Sequence, residues 1–161
     1  MLDEAGRLDD EQQRNRNEAK AQHNIGIVDH KLGDFANAFD HYLRARSLFA
    51  HLRDVKGQAI TLNYIGTILC TRDDPKGALH YHRRALDLAR ETRDRSLRAF
   101  TLCKIGNVLR SQEDFLGALT HHGQALRLFS RLLDVEGWAT ALDEVGTDLR
   151  LLADFEGALD S

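Results

Sequence analysis

The stretch IGNVLRSQEDFLGALTHHGQA, residues 105–125, carries every landmark of a unit that recurs along the chain in steps of forty residues. Its Ile105-Gly106 has counterparts in Ile25-Gly26, Ile65-Gly66 and Val145-Gly146. Its Asp114-Phe115 has counterparts in Asp34-Phe35, Asp74-Pro75 and Asp154-Phe155. Ala118 recurs as Ala38, Ala78 and Ala158, each followed by a large apolar residue, and Ala125 recurs as Ala45 and Ala85. A fixed period without insertions is the mark of a solenoid, in which one supersecondary unit stacks on copies of itself. Such a chain presents surfaces, so its architecture is easier to read than its partner.

The aspartates set the element boundaries. Asp at an N-cap accepts a backbone N–H bond, and Pro75 directly after Asp74 gives up a donor that has no helical partner in that position. A second column, Asp54, Asp94 and Asp134, precedes the other helix of each unit. These signals predict helices at 17–32, 35–52, 55–71, 75–92, 95–111, 115–132 and 135–151, with an eighth begun at 155. Short polar connections such as Arg72-Asp73 and Gln112-Glu113 favour antiparallel hairpins. The units run over 17–54, 55–94, 95–134 and an incomplete 135–161. Residues 1–16, with Leu2, Ala5 and Leu8 ahead of a polar stretch, read as the tail of a preceding helix or a cap. The unfinished ends suggest a piece of a longer protein.

The columns Ile25/Ile65/Ile105/Val145, Val28/Ile68/Val108 and Leu62/Leu102/Leu142 put apolar groups on one face of the first helix of each unit. Asp148 breaks the second of these, so the fourth unit is expected to pack differently there or to begin to leave the apolar seam. Glycine inside a helix costs about 1 kcal/mol relative to alanine. Its retention at four equivalent positions implies a neighbouring helix in close approach.

This pattern of Ile-Gly, Asp-Phe-x-x-Ala-Phe/Leu and a later alanine resembles the tetratricopeptide repeat. The resemblance covers nearly the whole chain and implies an all-α, right-handed superhelical solenoid of antiparallel helix pairs. The repeat is longer than the family's usual one, and similar to the forty-residue repeats of bacterial signalling proteins and animal cell-polarity scaffolds. The tryptophan and tyrosine of the family pattern are missing from the first helix. Ala50, Arg90 and Ser130 replace the closing proline.

The resemblance also implies a concave groove lined by the first helices that receives a protein or peptide. By register its residues are Lys20, His23, Asn24, Ile27, His30 and Lys31, then Asn63, Tyr64 and Thr67, then Phe100, Lys104, Asn107 and Arg110. Ile60, Cys70, Cys103, Thr140, Asp143, Glu144, Thr147 and Arg150 occupy further groove positions. Amides can hydrogen-bond an extended backbone, lysine and arginine can pair with acidic groups, and Tyr64 and Phe100 can anchor an apolar side chain. Family members that bind chaperone tails use a carboxylate clamp of lysines, asparagines and arginine. Here His23, Ile27, Tyr64, Phe100 and Lys104 hold those positions, so that specialisation is not expected.

Composition narrows the rest. A 161-residue chain with 42% hydrophobic residues and a net charge of −3 has no general attraction to nucleic acid or an anionic membrane. Its N-terminus lacks the pattern of a signal peptide, and Cys70 and Cys103 have no CxxC spacing, so a cytoplasmic, non-disulfide protein is expected. The eight histidines alternate with aromatics in the Tyr42 and Tyr81 columns as packing residues do, so no metal or cofactor site is expected. No nucleophile, phosphate-loop or zinc-protease motif is present. Asp73-Asp74 and Asp143-Glu144 read as a cap and a polar face, and Arg83-Arg84 with Arg93, Arg95 and Arg98 as a solvated convex surface. The expectation is a non-enzymatic binding module. Its rivals are a regulatory or sensory region of a larger bacterial signalling or transcription-control protein, and a self-association scaffold using the incomplete terminal repeats.

Overall fold

A computed structural model describes residues 2–159, with side chains from 6 to 158; the side chains of Leu2 and Ala5 and residues 160–161 lie outside it. Among the described residues there are seven helices and no strand: α1 Leu2–Leu32, α2 Phe35–His51, α3 Val55–Thr71, α4 Pro75–Glu91, α5 Arg95–Ser111, α6 Phe115–Leu132 and α7 Val135–Leu159. Each helix packs most heavily on its sequence neighbours, and α5 also touches α3 and α7. The result is a helical solenoid with α1, α3, α5 and α7 side by side.

Each of the six turns is built the same way. The aspartate before the next helix accepts a backbone N–H three residues on: Asn37, Gly57, Gly77, Leu97, Gly117 or Gly137. Its own amide donates to the carbonyl five residues back, as Asp54 does to Phe49 at 2.8 Å and Asp114 to Leu109 at 3.0 Å. One residue thus closes the previous helix and caps the next. The residue before it takes the left-handed conformation: Gly33, Arg53, Asp73, Arg93, Glu113 and Leu133, with φ between 55° and 81°. Five of these are not glycine, a strain of roughly 1 kcal/mol each that the double hydrogen-bonding and the docked helix offset.

Two expectations about the ends fail. The first helix runs back to Leu2 instead of starting near 17, because the polar residues 9–16 keep helical propensity and contain no glycine or proline. The break expected at Asp154 does not occur, and α7 continues to Leu159. A left-handed Ala153 would be strained, and only a few described residues follow Asp154 to repay it by packing. Straight continuation keeps the helical hydrogen bonds and sets Phe155 edge-on to Phe115, 5.8 Å between centroids.

The glycine column does mark close approach. A methyl group on Gly26 or Gly66 would come within 2.7 Å of the Tyr42 or His82 ring, and one on Gly106 would meet His122. Nothing lies within 4 Å of the same position on Gly146, since no second helix covers that face of α7 among the described residues. The apolar columns are likewise buried only where a neighbour exists. Ile65 and Ile68 are fully buried against Ala38 and Tyr42 of α2, whereas Ile25 and Val28 are 42% and 54% exposed. Their column faces the second helix of a preceding pair, and α1 has none here.

Candidate functional site: the concave face

Between α3 and α5 lies an open cavity of about 490 Å³. Ile60, Tyr64, Leu97 and Phe100 form its apolar floor, Asn63, Thr67 and Lys104 its polar wall, and His30 one edge. Tyr64 is held by stacking on the buried Tyr42, 5.1 Å between centroids, and by the edge of His23 at 5.0 Å. Phe100 stands half exposed, edge-on to Phe129 of α6 at 5.1 Å. At one end Lys56 reaches across to Asp94 at 2.7 Å. The Asp94 carboxyl is held below its usual range, first by the Leu97 N–H and then by Lys56. A second hollow of about 400 Å³ between α5 and α7 shares Phe100 and Lys104 with the first and adds Asn107, Thr140 and Glu144. Phe100 and Lys104 therefore stand on the ridge between two hollows. Lys104 is the exposed cation there, and its charge is felt by Cys70, Cys103 and His82.

Beneath the face runs a ladder of polar contacts that uses several predicted groove residues internally. In the first rung the His23 Nδ1 meets Thr61 Oγ1 at 3.2 Å, while the Thr61 hydroxyl donates to the Gly57 carbonyl at 2.8 Å. In the second, His82 Nδ1 contacts Asn63 Oδ1 at 3.0 Å, Asn63 Nδ2 donates to Thr101 Oγ1 at 2.7 Å, and Thr101 donates to the Leu97 carbonyl at 2.7 Å. Directions are forced along that chain: His82 donates from Nδ1, so its ring can remain neutral. Burial, assisted by Lys104, pushes the His82 pKa down to about 4, and burial lowers that of His23 as well.

The third rung is ionic. His122, fully buried, has Nδ1 at 2.5 Å from Asp148 Oδ2 and Nε2 at 3.0 Å from Asn107 Oδ1 and 3.2 Å from the Cys103 carbonyl. Each of these oxygens can accept, so the ring is placed to donate from both nitrogens. Arg110 donates to Asp148 Oδ1 at 3.3 Å, to Asn107 Oδ1 at 3.0 Å and to Glu144 Oε2 at 2.5 Å. Arg110 and His122 thus converge on Asp148, with Glu144 beside Arg110, and the buried polar groups are paired as burial demands. Asp148, where the apolar column breaks, is not leaving the interior; it is fully buried and locks α7 to α5 and α6.

The sequence-predicted residues consequently divide. His30, Asn63, Tyr64, Thr67, Phe100 and Lys104 come together around the first cavity. His23 and Ile27 are half-buried packing residues beside Tyr42 and Tyr64. Lys20, Asn24 and Lys31 are exposed on α1 away from the cavity. Asn107 and Arg110 are engaged with His122, Asp148 and Glu144. Lys56, Asp94 and Leu97 belong to the cavity but were not anticipated; Asp94 had been read only as a cap. The Cys103 thiol, half-buried, is pushed up to about 11 by burial and by Glu144, the opposite of an activated nucleophile. Among the described residues no group of three or more histidine, cysteine or acidic side chains is placed to hold a metal ion. No helix of the described residues is long and apolar enough to cross a membrane.

Comparison with known proteins agrees with this architecture. Residues 17–91, from within α1 to the end of α4, match the tetratricopeptide repeat family model. With the seven-helix solenoid, this makes the chain similar in fold to tetratricopeptide-type helical repeat proteins. No curated protein matches. Among solved structures, BtubC (BKLC) from P. vanneervenii is 17% identical with a TM-score of 0.76, over 88% of this chain and 59% of its own. Aspartyl phosphate phosphatase F from Bacillus subtilis is 14% identical with a TM-score of 0.82, over 90% of this chain and 38% of its own. A Rap protein complexed with competence and sporulation factor is 23% identical with a TM-score of 0.74, over 86% of this chain and 39% of its own. The chain thus spans less than two thirds of each of these proteins, and at such identities the likeness is one of fold.

Proposed function

We propose that the chain is a non-enzymatic protein- or peptide-binding module that receives its partner on the concave face, centred on Phe100 and Lys104. The observation that carries this is an exposed aromatic ring beside an exposed lysine, on a ridge between two hollows. Tyr64 and Leu97 offer an apolar pocket to a large side chain, and Lys104 offers a charge to an acid next to it. The face is preformed by the ladder below it, so little ordering entropy is lost on binding. A Rap protein of similar fold is seen in complex with competence and sporulation factor. That similarity also favours a second reading, a regulatory region of a larger bacterial signalling protein, which the full-length gene would test.

A triple change at Asn63, Lys104 and Asn107 would disturb the interior, so surface residues make the cleaner test. Peptides selected from a random library against this chain should be enriched in an aromatic or large aliphatic residue beside an acid. The double variant F100A/K104E should keep its helical circular dichroism and lose at least tenfold in affinity for them. Unchanged affinity would move recognition to another face.

A further inference from the structure

Among the described residues no helix covers the outer face of α7. Val135, Leu142 and Leu149 recur every seven residues along it and are 76%, 43% and 51% exposed. Ala139, Gly146 and Ala153 form a parallel, exposed stripe beside them. Gly146, Leu142 and Trp138 line a trough of about 550 Å³ that also includes Asp143 and Arg150. In the pairs α1–α2, α3–α4 and α5–α6 the equivalent glycine is covered by a helix that lays a ring over it. A seven-residue apolar repeat with small residues at its centre is a seam built for another helix.

The arrangement about Gly146 identifies that helix. Ala139 lies seven residues before it and Ala153 seven after; Leu142 lies four before and Leu149 three after; Asp143 lies three before and Arg150 four after. On two copies of α7 crossing antiparallel at Gly146, small residues therefore meet small residues and the leucines interdigitate. A two-fold axis lying in the contact plane, perpendicular to both helices, puts the same flank of both helices on the same side. Asp143 of each copy then stands beside Arg150 of the other. Neither side chain has an ion-pair partner within the chain among the described residues. An isologous interface requires this kind of self-complementarity.

The geometry points to a homodimer formed by antiparallel pairing of α7 with α7 of a second copy, closed by two reciprocal Asp143–Arg150 ion pairs. This surface is distinct from the ridge at Phe100 and Lys104. One helix pair is a contact at the small end of specific interfaces, so the dimer forms and dissociates with concentration. It leaves the hollows between α3, α5 and α7 open.

Sedimentation equilibrium over a wide concentration range tests this on the intact chain. The parent should pass from monomer to dimer mass. D143R and R150D should each weaken the dimer by about tenfold or more, since each replaces two attractions by two repulsions. The combined D143R/R150D variant should regain most of the parent affinity. Both changes are on the surface, and circular dichroism checks that the fold is retained. L142D, which puts a charge into the seam without touching the ion pairs, should leave only monomer. A parent that stays monomeric at every concentration would overturn the inference. So would a dimer insensitive to L142D, or a charge swap that fails to rescue, the first assigning association to another surface. F100A/K104E should dimerise like the parent, which separates this outcome from the groove reading.

Discussion

Replacing Asp148 by valine restores the apolar column of Val28, Ile68 and Val108, and by residue type alone it would be expected to stabilise the chain. The structure predicts the reverse. The Asp148 carboxylate is fully buried between His122 and Arg110, at 2.5 and 3.3 Å. Removing one partner of a buried pair costs about 3–5 kcal/mol, because the remaining charge stays buried without compensation. Burial of the valine side chain returns about 1.5 kcal/mol. The net loss is about 1.5–3.5 kcal/mol, or around 3–14 °C in the melting midpoint for a chain of this size. Arg110 adds little to the loss, since it keeps Glu144 and Asn107 and is partly exposed. The double variant H122Y/D148V copies the arrangement in the first repeat, where Tyr42 lies over Gly26 beside Ile68. Swapping a buried ion pair for fitted apolar groups is often neutral or better, so the double variant should return to within about 1 kcal/mol of the parent. Urea titrations of the parent, D148V, H122Y and the double variant supply the cycle. If D148V matches the parent with His122 intact, or the double variant is no better than D148V, the ionic account of the third rung is wrong.

Because the folded chain holds the His82 pKa down to about 4 against an ordinary 6.5, the unfolded chain binds more protons between those values. Stability should therefore fall as pH drops from 6.5 toward 4, by on the order of 3 kcal/mol from this ring. In H82Y, the urea midpoint should change less between pH 6.5 and 5 than in the parent; an unchanged slope would clear His82 of the effect. The Tyr42 hydroxyl is buried with no hydrogen-bond partner among the described residues, so Y42F should match the parent or gain about 1 kcal/mol in chemical denaturation. Two glycines in helix interiors should respond oppositely to alanine. G106A pushes a methyl group into the His122 ring and should destabilise by about 1–3 kcal/mol. G123A, with nothing within 4 Å, should stabilise by up to about 1 kcal/mol in the same assay.

What could be read from the sequence was whatever is local and repeated. Each Asp column makes a contact three residues away, and the period repeats it often enough to fix helix, turn and pair. The glycine column was legible for a similar reason, although the ring that fills each notch had to be seen to be known. The ends of α1 and α7 were not legible, because the same Asp-Phe signal turns the chain only when a docked helix offsets a left-handed residue. Asp154 shows that a cap signal alone does not break a helix. The ladder was hidden as well. Its contacts join residues 19, 26 and 38 apart, and no single helix face displays them. Only the interruption of a column at Asp148, on a helix packed against the one carrying His122, pointed to it. Register put Tyr64, Phe100 and Lys104 on the concave side, and the structure brings the three around one cavity. Asn107 and Arg110 were placed there too, but register does not distinguish a side chain facing a groove from one reaching sideways to the next helix.

That sideways reach bears on why an ionic rung stands at α7 rather than another apolar one. Helices α3 and α5 are gripped on both sides, by the helix of the preceding pair and by their own second helix. Among the described residues α7 is gripped only on the side of α5 and α6. With half the usual contacts, an apolar column alone would tolerate sliding or rotation, because one leucine substitutes for another at modest cost. A buried carboxylate does not allow this. Moving α7 by one residue would strip Asp148 from both His122 and Arg110 and leave three charges unmatched, a cost of several kcal/mol. The rung therefore fixes register where packing cannot, and it sets the outer stripe of α7 at a defined angle to the concave face. Any helix that docks on Gly146 meets a surface whose orientation has already been decided from the inside.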